Sequence, residues 1–135
     1  MTLVFTNGCF DVMHSGHVKF LRACRSLGTR LIVGMNSDDS VRRLKGPSRP
    51  VCNQVERWAV LESIRWVDEV ILFDESTPCE LVKRLRPSII VKGPGYSVEN
   101  MPEAAIVKEY GGQVVILDGP DISTSKIIER IRNGV

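Results

Sequence analysis

Leu3-Val4-Phe5-Thr6-Asn7-Gly8-Cys9-Phe10-Asp11, followed three residues later by His14-Ser15-Gly16-His17, decides how this chain folds. Residues 3–6 form a short apolar run of the kind that makes a buried strand. After the histidines, Val18, Leu21, Cys24 and Leu27 recur at helical spacing. The order is therefore strand, tight glycine-bearing turn, then a helix with two imidazoles at its mouth. A helix start offers unpaired backbone N–H groups and the positive end of a dipole, which suits an anion and above all a phosphate. Two histidines there add donors that can follow charge as it builds on a phosphate in a transition state.

Working outward, strand and helix signals alternate to the end of the chain. Residues 30–35, 69–73, 89–92 and 113–117 are further short apolar or β-branched runs, and all five runs read as strands buried on both faces. Gly28 closes the first helix after Leu27. Asn53 with Glu56, and Thr77 with Glu80, have the spacing of capping boxes, with Pro78 on the first helical position. Arg86-Pro87 ends that helix, and residues 100–110 and 123–132 supply two more. Strands alternating with helices imply right-handed crossovers and an α/β, doubly wound, five-stranded parallel sheet in one domain spanning residues 1–135. Ligands of such sheets bind beyond the carboxyl ends of the strands, where the strand order switches. His14 and His17 follow the first strand, Asn36 the second, Lys92-Gly93 the fourth and residues 118–125 the fifth. Every unusual segment falls on one edge.

The chain of 135 residues, 43% apolar and 25% charged, has the composition of one soluble domain. A net charge of +2, with Lys and Arg spread along the chain, gives no footprint for nucleic acid. Short clusters such as Arg42-Arg43 read as solvated helix faces. No apolar run reaches the length of a membrane span, and Met1 leads almost directly into a strand, without a signal-peptide pattern. Cys9, Cys24, Cys52 and Cys79 lack the paired spacing of a zinc site or redox motif. The expectation is a cytoplasmic protein with reduced thiols, and neither nucleic acid nor membrane as a partner.

Gly8 lets the backbone of Thr6-Asn7-Gly8-Cys9-Phe10 come close to a ligand with its amides turned inward. Asp11 is placed either to orient a histidine or to complete a turn. His14 and His17 have two blander readings, as helix caps or as a metal pair with Cys9. No third ligand has metal-site spacing, so no protein metal site is expected. The strand-to-helix placement, with glycines on both sides, favours phosphate chemistry. Gly93-Pro94-Gly95-Tyr96 reads as a base- or acceptor-lining loop, Trp58 and Trp66 as core or subunit-contact residues.

Thr6 to Asp11 followed by His14-Ser15-Gly16-His17 resembles the first signature of cytidylyltransferase-like nucleotidyltransferases. Ile122-Ser123-Thr124-Ser125-Lys126-Ile127-Ile128 resembles the second, with Ser125 where a threonine is usual, and Arg65-Trp66-Val67-Asp68-Glu69-Val70 resembles a shared segment between them. The likeness covers essentially the whole chain, and it implies the same Rossmann-like sheet. It also implies a reaction: an oxygen of a phosphate or phosphonate acceptor attacks the α-phosphorus of a nucleoside triphosphate and releases pyrophosphate. That acceptor oxygen is already an anion, so positioning and electrostatics matter more than a strong base. By resemblance His14, His17 and Lys45 are catalytic. Thr6, Asn7, Gly8, Cys9, Phe10, Gly16, Lys92, Gly93, Ile122, Ser123, Thr124 and Ser125 hold the nucleotide. Asp11, Arg57 and Tyr96 serve the acceptor. The blander role of Ser123 to Ser125 is N-capping, and that of Lys45 and Arg57 is solvent exposure. Mg²⁺ is expected to arrive on the triphosphate.

Arg43-Leu44-Lys45-Gly46, Ser48-Arg49-Pro50-Val51, Thr77-Pro78 and Val91-Lys92-Gly93 are similar to two branches of the family. One is the heptose 1-phosphate adenylyltransferases; the other is the cytidylyltransferase domains found ahead of phosphoenolpyruvate mutase. The early first strand and Gly95, where the heptose enzymes tend to carry aspartate, lean the reading to CTP and a small phosphorylated or phosphonate alcohol. Against cytidine, Asp118-Gly119-Pro120-Asp121 stands where glycerol phosphate cytidylyltransferases carry an arginine. Heptose 1-phosphate adenylyl transfer from ATP is the alternative. A non-catalytic nucleotide-binding module is a second alternative, and His14, His17 and Lys45 argue against it. Resemblance and the bulky stretch 58–70 predict a homodimer, and the chain is expected either alone or as the amino-terminal domain of a longer enzyme.

Overall fold

The computed structural model describes residues 1–118 and 123–134. The strands are β1 Leu3–Gly8, β2 Arg30–Asn36, β3 Glu69–Phe73, β4 Ile89–Lys92 and β5 Gln113–Ile116. All pairings are parallel and the order across the sheet is β3-β2-β1-β4-β5. The helices are α1 Ser15–Ser26, α2 Asp38–Lys45, α3 Gln54–Glu62, α4 Cys79–Leu85, α5 Pro102–Glu109 and α6 Thr124–Arg132.

Alternation along β1 sends Val4 to one face of the sheet and Phe5 to the other. Val4 joins a core with Leu21 and Cys24 of α1 and Leu61 of α3. Phe5 joins a second core with Leu81 and Val82 of α4 and Ala104 and Val107 of α5. Chain continuing from β1 thus covers one face, and chain continuing from neighbouring β4 covers the other. The gap between those two departures is the switch point.

Only β1, β2 and β4 are buried on both faces. β3 and β5 are the sheet edges, and Leu72 and Ile116 remain exposed there. A run of apolar residues does not reveal whether a strand has neighbours on both sides. Asn53 caps α3 as its spacing predicts, accepting from the Glu56 amide at 2.9 Å. Thr77 caps nothing: α4 begins at Cys79 with Pro78 in the cap position. The helix predicted over 100–110 is divided into a single 3-10 turn, Val98–Asn100, and α5, because Met101 takes an extended conformation between them.

Gly28 follows α1 for a different reason from the one expected. Its φ lies outside the left-handed region, whereas a Cβ there would stand 2.6 Å from the Thr2 carbonyl oxygen and from Val4 Cγ2. It is the close approach of the turn to β1 that requires glycine.

The bulky stretch that suggested a dimer is accommodated by its own domain. Leu61 and Val70 are core residues, and Trp58, Ile64 and Val67 lie against them. The Trp66 ring has the guanidinium of Arg65 at 4.8 Å and that of Arg22 at 5.4 Å. The tryptophans of that stretch thus have partners within the domain, while Val60 remains exposed. The four cysteines are unpaired. Among the described residues no helix is long and apolar enough to cross a membrane.

Candidate active site

A cleft of about 740 Å³ opens at the switch point, beyond the carboxyl ends of β1 and β4. That is ample for a nucleotide-sized ligand. The loop after β1 forms its floor. Phe10 and Val12 both adopt left-handed φ, 51° and 48°, which strains non-glycine residues by about 1–3 kcal/mol each. The Phe10 ring folds back over Gly8, where a Cβ would stand 3.1 Å from it. Between the two strained residues, Asp11 accepts from the amides of Val51 at 2.7 Å and Cys52 at 2.9 Å. Its carbonyl accepts from the Thr124 hydroxyl at 2.6 Å. Of the three roles expected for Asp11, orienting a histidine, completing a turn and serving the acceptor, holding the turn is the one its bonds perform. It gathers three segments around the cleft.

The histidines make a reciprocal cap. His14 is the N-cap of α1, and its Nδ1 accepts from the Gly16 amide at 3.1 Å. His17 Nδ1 accepts from the His14 amide at 3.1 Å. The two rings are 4.2 Å apart between centroids. A neutral imidazole that accepts at Nδ1 carries its proton at Nε2. The capping bonds therefore select the tautomer, and each ring keeps an Nε2–H donor. Capping and phosphate binding, posed as rivals by the sequence, are two halves of one arrangement.

Burial holds the His17 ring well below its usual range, at about 4, with His14 acting in the same direction and Asp11 opposing. Protonation would also break the capping bond at Nδ1. The ring is thus neutral at physiological pH. In a proton NMR titration of the ligand-free protein, His17 is expected to titrate near 4, and added triphosphate should move that midpoint upward, because an anion favours the charged ring. A midpoint near 6.5 that ignores triphosphate would contradict the arrangement. The linkage also has a sign: the unfolded chain takes up this proton first, so stability falls as pH drops from about 6.5 toward 4.

Lys45 ends α2 at the rim of the cleft, exposed and without an ion-pair partner among the described residues. Arg49 stands beside it, donating to Ser125 Oγ at 3.1 Å. Arg49 was passed over as a site residue; its signal was position, four residues after Lys45 on the same edge. Ser123 caps α6, accepting from the Lys126 amide at 3.2 Å. The hydroxyls of residues 123–125 are thus engaged with protein, and a phosphate at α6 would meet its backbone N–H groups. Ile122 lies outside the described residues.

Arg57 overturns both expectations held for it. It is neither solvent-exposed nor part of the cleft lining, but fully buried. It donates to the carbonyls of Cys52 (3.0 Å), Cys9 (2.8 Å) and Asn36 (2.8 Å), and pairs with Asp38 at 2.8 Å. Its position early in α3 points it inward beneath the floor. Thr6 is likewise committed, its hydroxyl donating to the Val91 carbonyl at 2.8 Å and joining β1 to β4.

Lys92 lies at the cleft lining, but it is buried and its charge is matched within the protein. Its Nζ pairs with Glu103 at 3.0 Å, donates to Asn7 Oδ1 and lies 5.1 Å from the Tyr96 ring centre. Burial lowers its pKa and Glu103 pulls in the opposite direction. Glu103 was not foreseen, although a strand-end lysine needs a carboxylate when it is buried. Tyr96, Gly93, Gly16 and Cys9 line the cleft. The Cys9 thiol is pushed up by burial, which Lys45 and Arg57 partly offset. Among the described residues no three His, Cys, Asp or Glu side chains group as a metal site. Helix starts, imidazole donors and two rim cations surround the open cleft, an arrangement whose chemistry suits an anion.

Comparison with known proteins supplies the family. The chain is 52% identical over 131 residues to the bifunctional protein HldE of Syntrophotalea carbinolica, covering 96% of this chain and 27% of that protein. It is 50% identical to the HldE of Alcanivorax borkumensis, covering 96% and 28%. The chain thus spans about a quarter of the length of the curated relatives it matches. A lipopolysaccharide core biosynthesis protein from Thermoplasma volcanium superposes with a TM-score of 0.71 at 28% identity, covering 91% of this chain and 99% of that one. Residues 5–130 match the cytidylyltransferase-like family, and the chain belongs to it.

Proposed function

We propose that this chain is a nucleotidyltransferase that carries an adenylyl group from ATP to the phosphate of a small phosphorylated sugar, releasing pyrophosphate. The observation that carries the reading is the reciprocal imidazole cap: two Nε2–H donors at a helix start on the switch point, with Lys45 at the rim. Triphosphate oxygens rest against the starts of α1 and α6. The acceptor oxygen attacks the α-phosphorus in line with the departing pyrophosphate. Charge accumulating around phosphorus meets the imidazole donors and the lysine. No residue needs to remove a proton from an acceptor that is already anionic.

ATP is preferred to CTP here, against the lean of the sequence. Half-identity to the HldE proteins supports this, as do the motifs shared with the heptose 1-phosphate adenylyltransferases. The Thermoplasma protein's role in lipopolysaccharide core biosynthesis fits a sugar acceptor. A CTP enzyme acting on a phosphonate is the second reading, favoured by Gly95, an open position in the cleft-side loop. The donor set, with helix starts and cations around the cleft, fits Mg²⁺ delivered on the triphosphate, where it would neutralise phosphate charge.

Pyrophosphate release measured with each triphosphate against a panel of sugar phosphates, glycerol phosphate and phosphonates tests the assignment. ATP with heptose 1-phosphate is expected to lead, and a site that pairs with one base edge should reject the other base by roughly 10⁴. CTP with a phosphonate leading would reverse the choice of base. Nucleotide binding with no release from any pair would leave a binding module.

A further inference from the structure

Asn7 has a feature that its place in the first signature does not explain. Lysine nitrogen donates and cannot accept, so the bond from Lys92 Nζ must end on Asn7 Oδ1. The Asn7 Nδ2 amide therefore faces the other way, has no partner among the described residues, and belongs to a residue that lines the cleft. No buried side-chain nitrogen or oxygen in the described residues lacks a partner, so this amide is accessible from the cleft. The orientation is firmly imposed. Lys92 and Glu103 are both buried, and their ion pair at 3.0 Å fixes the amine that holds the amide.

Its location gives the amide a direction. Residues 5 and 7 of β1 share a face, as do residues 90 and 92 of β4, and Phe5 and Ile90 belong to the core beneath α4 and α5. The imidazoles belong to α1, on the opposite face. Asn7 thus meets the switch point from the side away from the helix start that receives the triphosphate. In-line transfer brings the attacking oxygen from opposite the leaving pyrophosphate. We propose that Asn7 Nδ2 donates to the phosphate of the incoming acceptor, and that Lys92 and Glu103 are positioning residues that keep this donor turned into the cleft. This rests on the nucleotidyl-transfer reading above and adds an acceptor-side contact to it.

Asn7→Asp keeps an oxygen for Lys92 but replaces the donor with a negative charge. With ATP and heptose 1-phosphate, it is expected to lower kcat/KM for the acceptor about 10²-fold while the KM for ATP stays within about twofold. Lys92→Met combined with Glu103→Met removes the pair without stranding a buried charge, a change proteins often tolerate. It should leave the melting temperature near that of the wild type, yet lower acceptor kcat/KM roughly tenfold or more, with little further loss when Asn7→Asp is added. An Asn7→Asp protein with unchanged acceptor kinetics, or with ATP and acceptor parameters impaired alike, would overturn the proposal. A readout independent of turnover is the Asn7 side-chain NH₂ signal in ¹⁵N NMR, identified by its loss in Asn7→Asp. Titration with inorganic phosphate is expected to move it, and a signal that does not move overturns the proposal. Absence of pyrophosphate release by the wild type with every substrate pair would instead defeat the transfer reading, and the phosphate titration would still decide the contact.

Discussion

Turnover is expected to fall about 10²–10³-fold in His14→Asn and in His17→Gln, with triphosphate affinity nearly unchanged. These substitutions are chosen because each imidazole has two duties. Alanine would remove the cap along with the donor, and loss of an N-cap alone costs about 0.5–2 kcal/mol. Asparagine is a good N-cap, and glutamine at the third helical position can still reach back to the His14 amide. Both preserve the start of α1 and leave a neutral amide NH₂ in place of the imidazole, which alone can take up a proton as charge builds. Turnover and calorimetric titration of triphosphate on the same variants separate the possibilities. Equal losses in rate and affinity would make the imidazoles ground-state ligands. Normal rates would show that a cap with a neutral amide donor suffices there.

The second large effect concerns stability. Arg57→Met is expected to destabilise the domain by about 4 kcal/mol or more and to lower Tm by more than about 10 °C. The guanidinium ties the loop after β1, the end of β2, the segment before α3 and Asp38 together from inside. Removing it strands three carbonyls and a carboxylate, and an orphaned buried acceptor costs about 1–3 kcal/mol. Arg57→Lys should be only a partial repair, because a single ammonium cannot reproduce a planar fork reaching four oxygens. Thermal unfolding measures this directly. A variant that melts like the wild type but has a raised KM for the acceptor would restore the acceptor-side role that resemblance suggested.

Arg57 also marks the limit of what could be read from the chain. Strand number and parallel pairing were legible, because periodicity and the alternation of strands with helices encode them locally. The predicted strands at residues 69–73 and 89–92 agree with β3 and β4 residue for residue. The neighbours of a side chain across 20 to 85 residues are not encoded locally. Arg57 looked like any helix-surface arginine until Cys9 and Asn36, 48 and 21 residues away, closed over it. Lys92 looked like a free cation until Asn7, 85 residues earlier, lay beside it. Thr77 had the spacing for a cap, but α4 starts one residue later and leaves that threonine facing the cleft. The histidines stand out in the sequence, whereas their tautomer depends on which ring nitrogen caps which amide.

α6 forms one wall of the cleft and contributes no buried side chain. Its first turn meets the rest of the domain through polar bonds, from Thr124 to the Asp11 carbonyl and from Arg49 to Ser125. α1, by contrast, sinks Leu21 and Cys24 into the core. The two walls therefore differ in lifetime. Opening α6 exposes only the partly buried Ile127 and Ile128, while α1 can leave only with the core it anchors. Amide hydrogen exchange is expected to run through local opening in α6 and through global unfolding in the middle of α1, so that denaturant accelerates exchange in α1 far more steeply than in α6. For the transfer proposed above, this predicts that a bulky product leaves past the wall that opens first, without movement of the histidines.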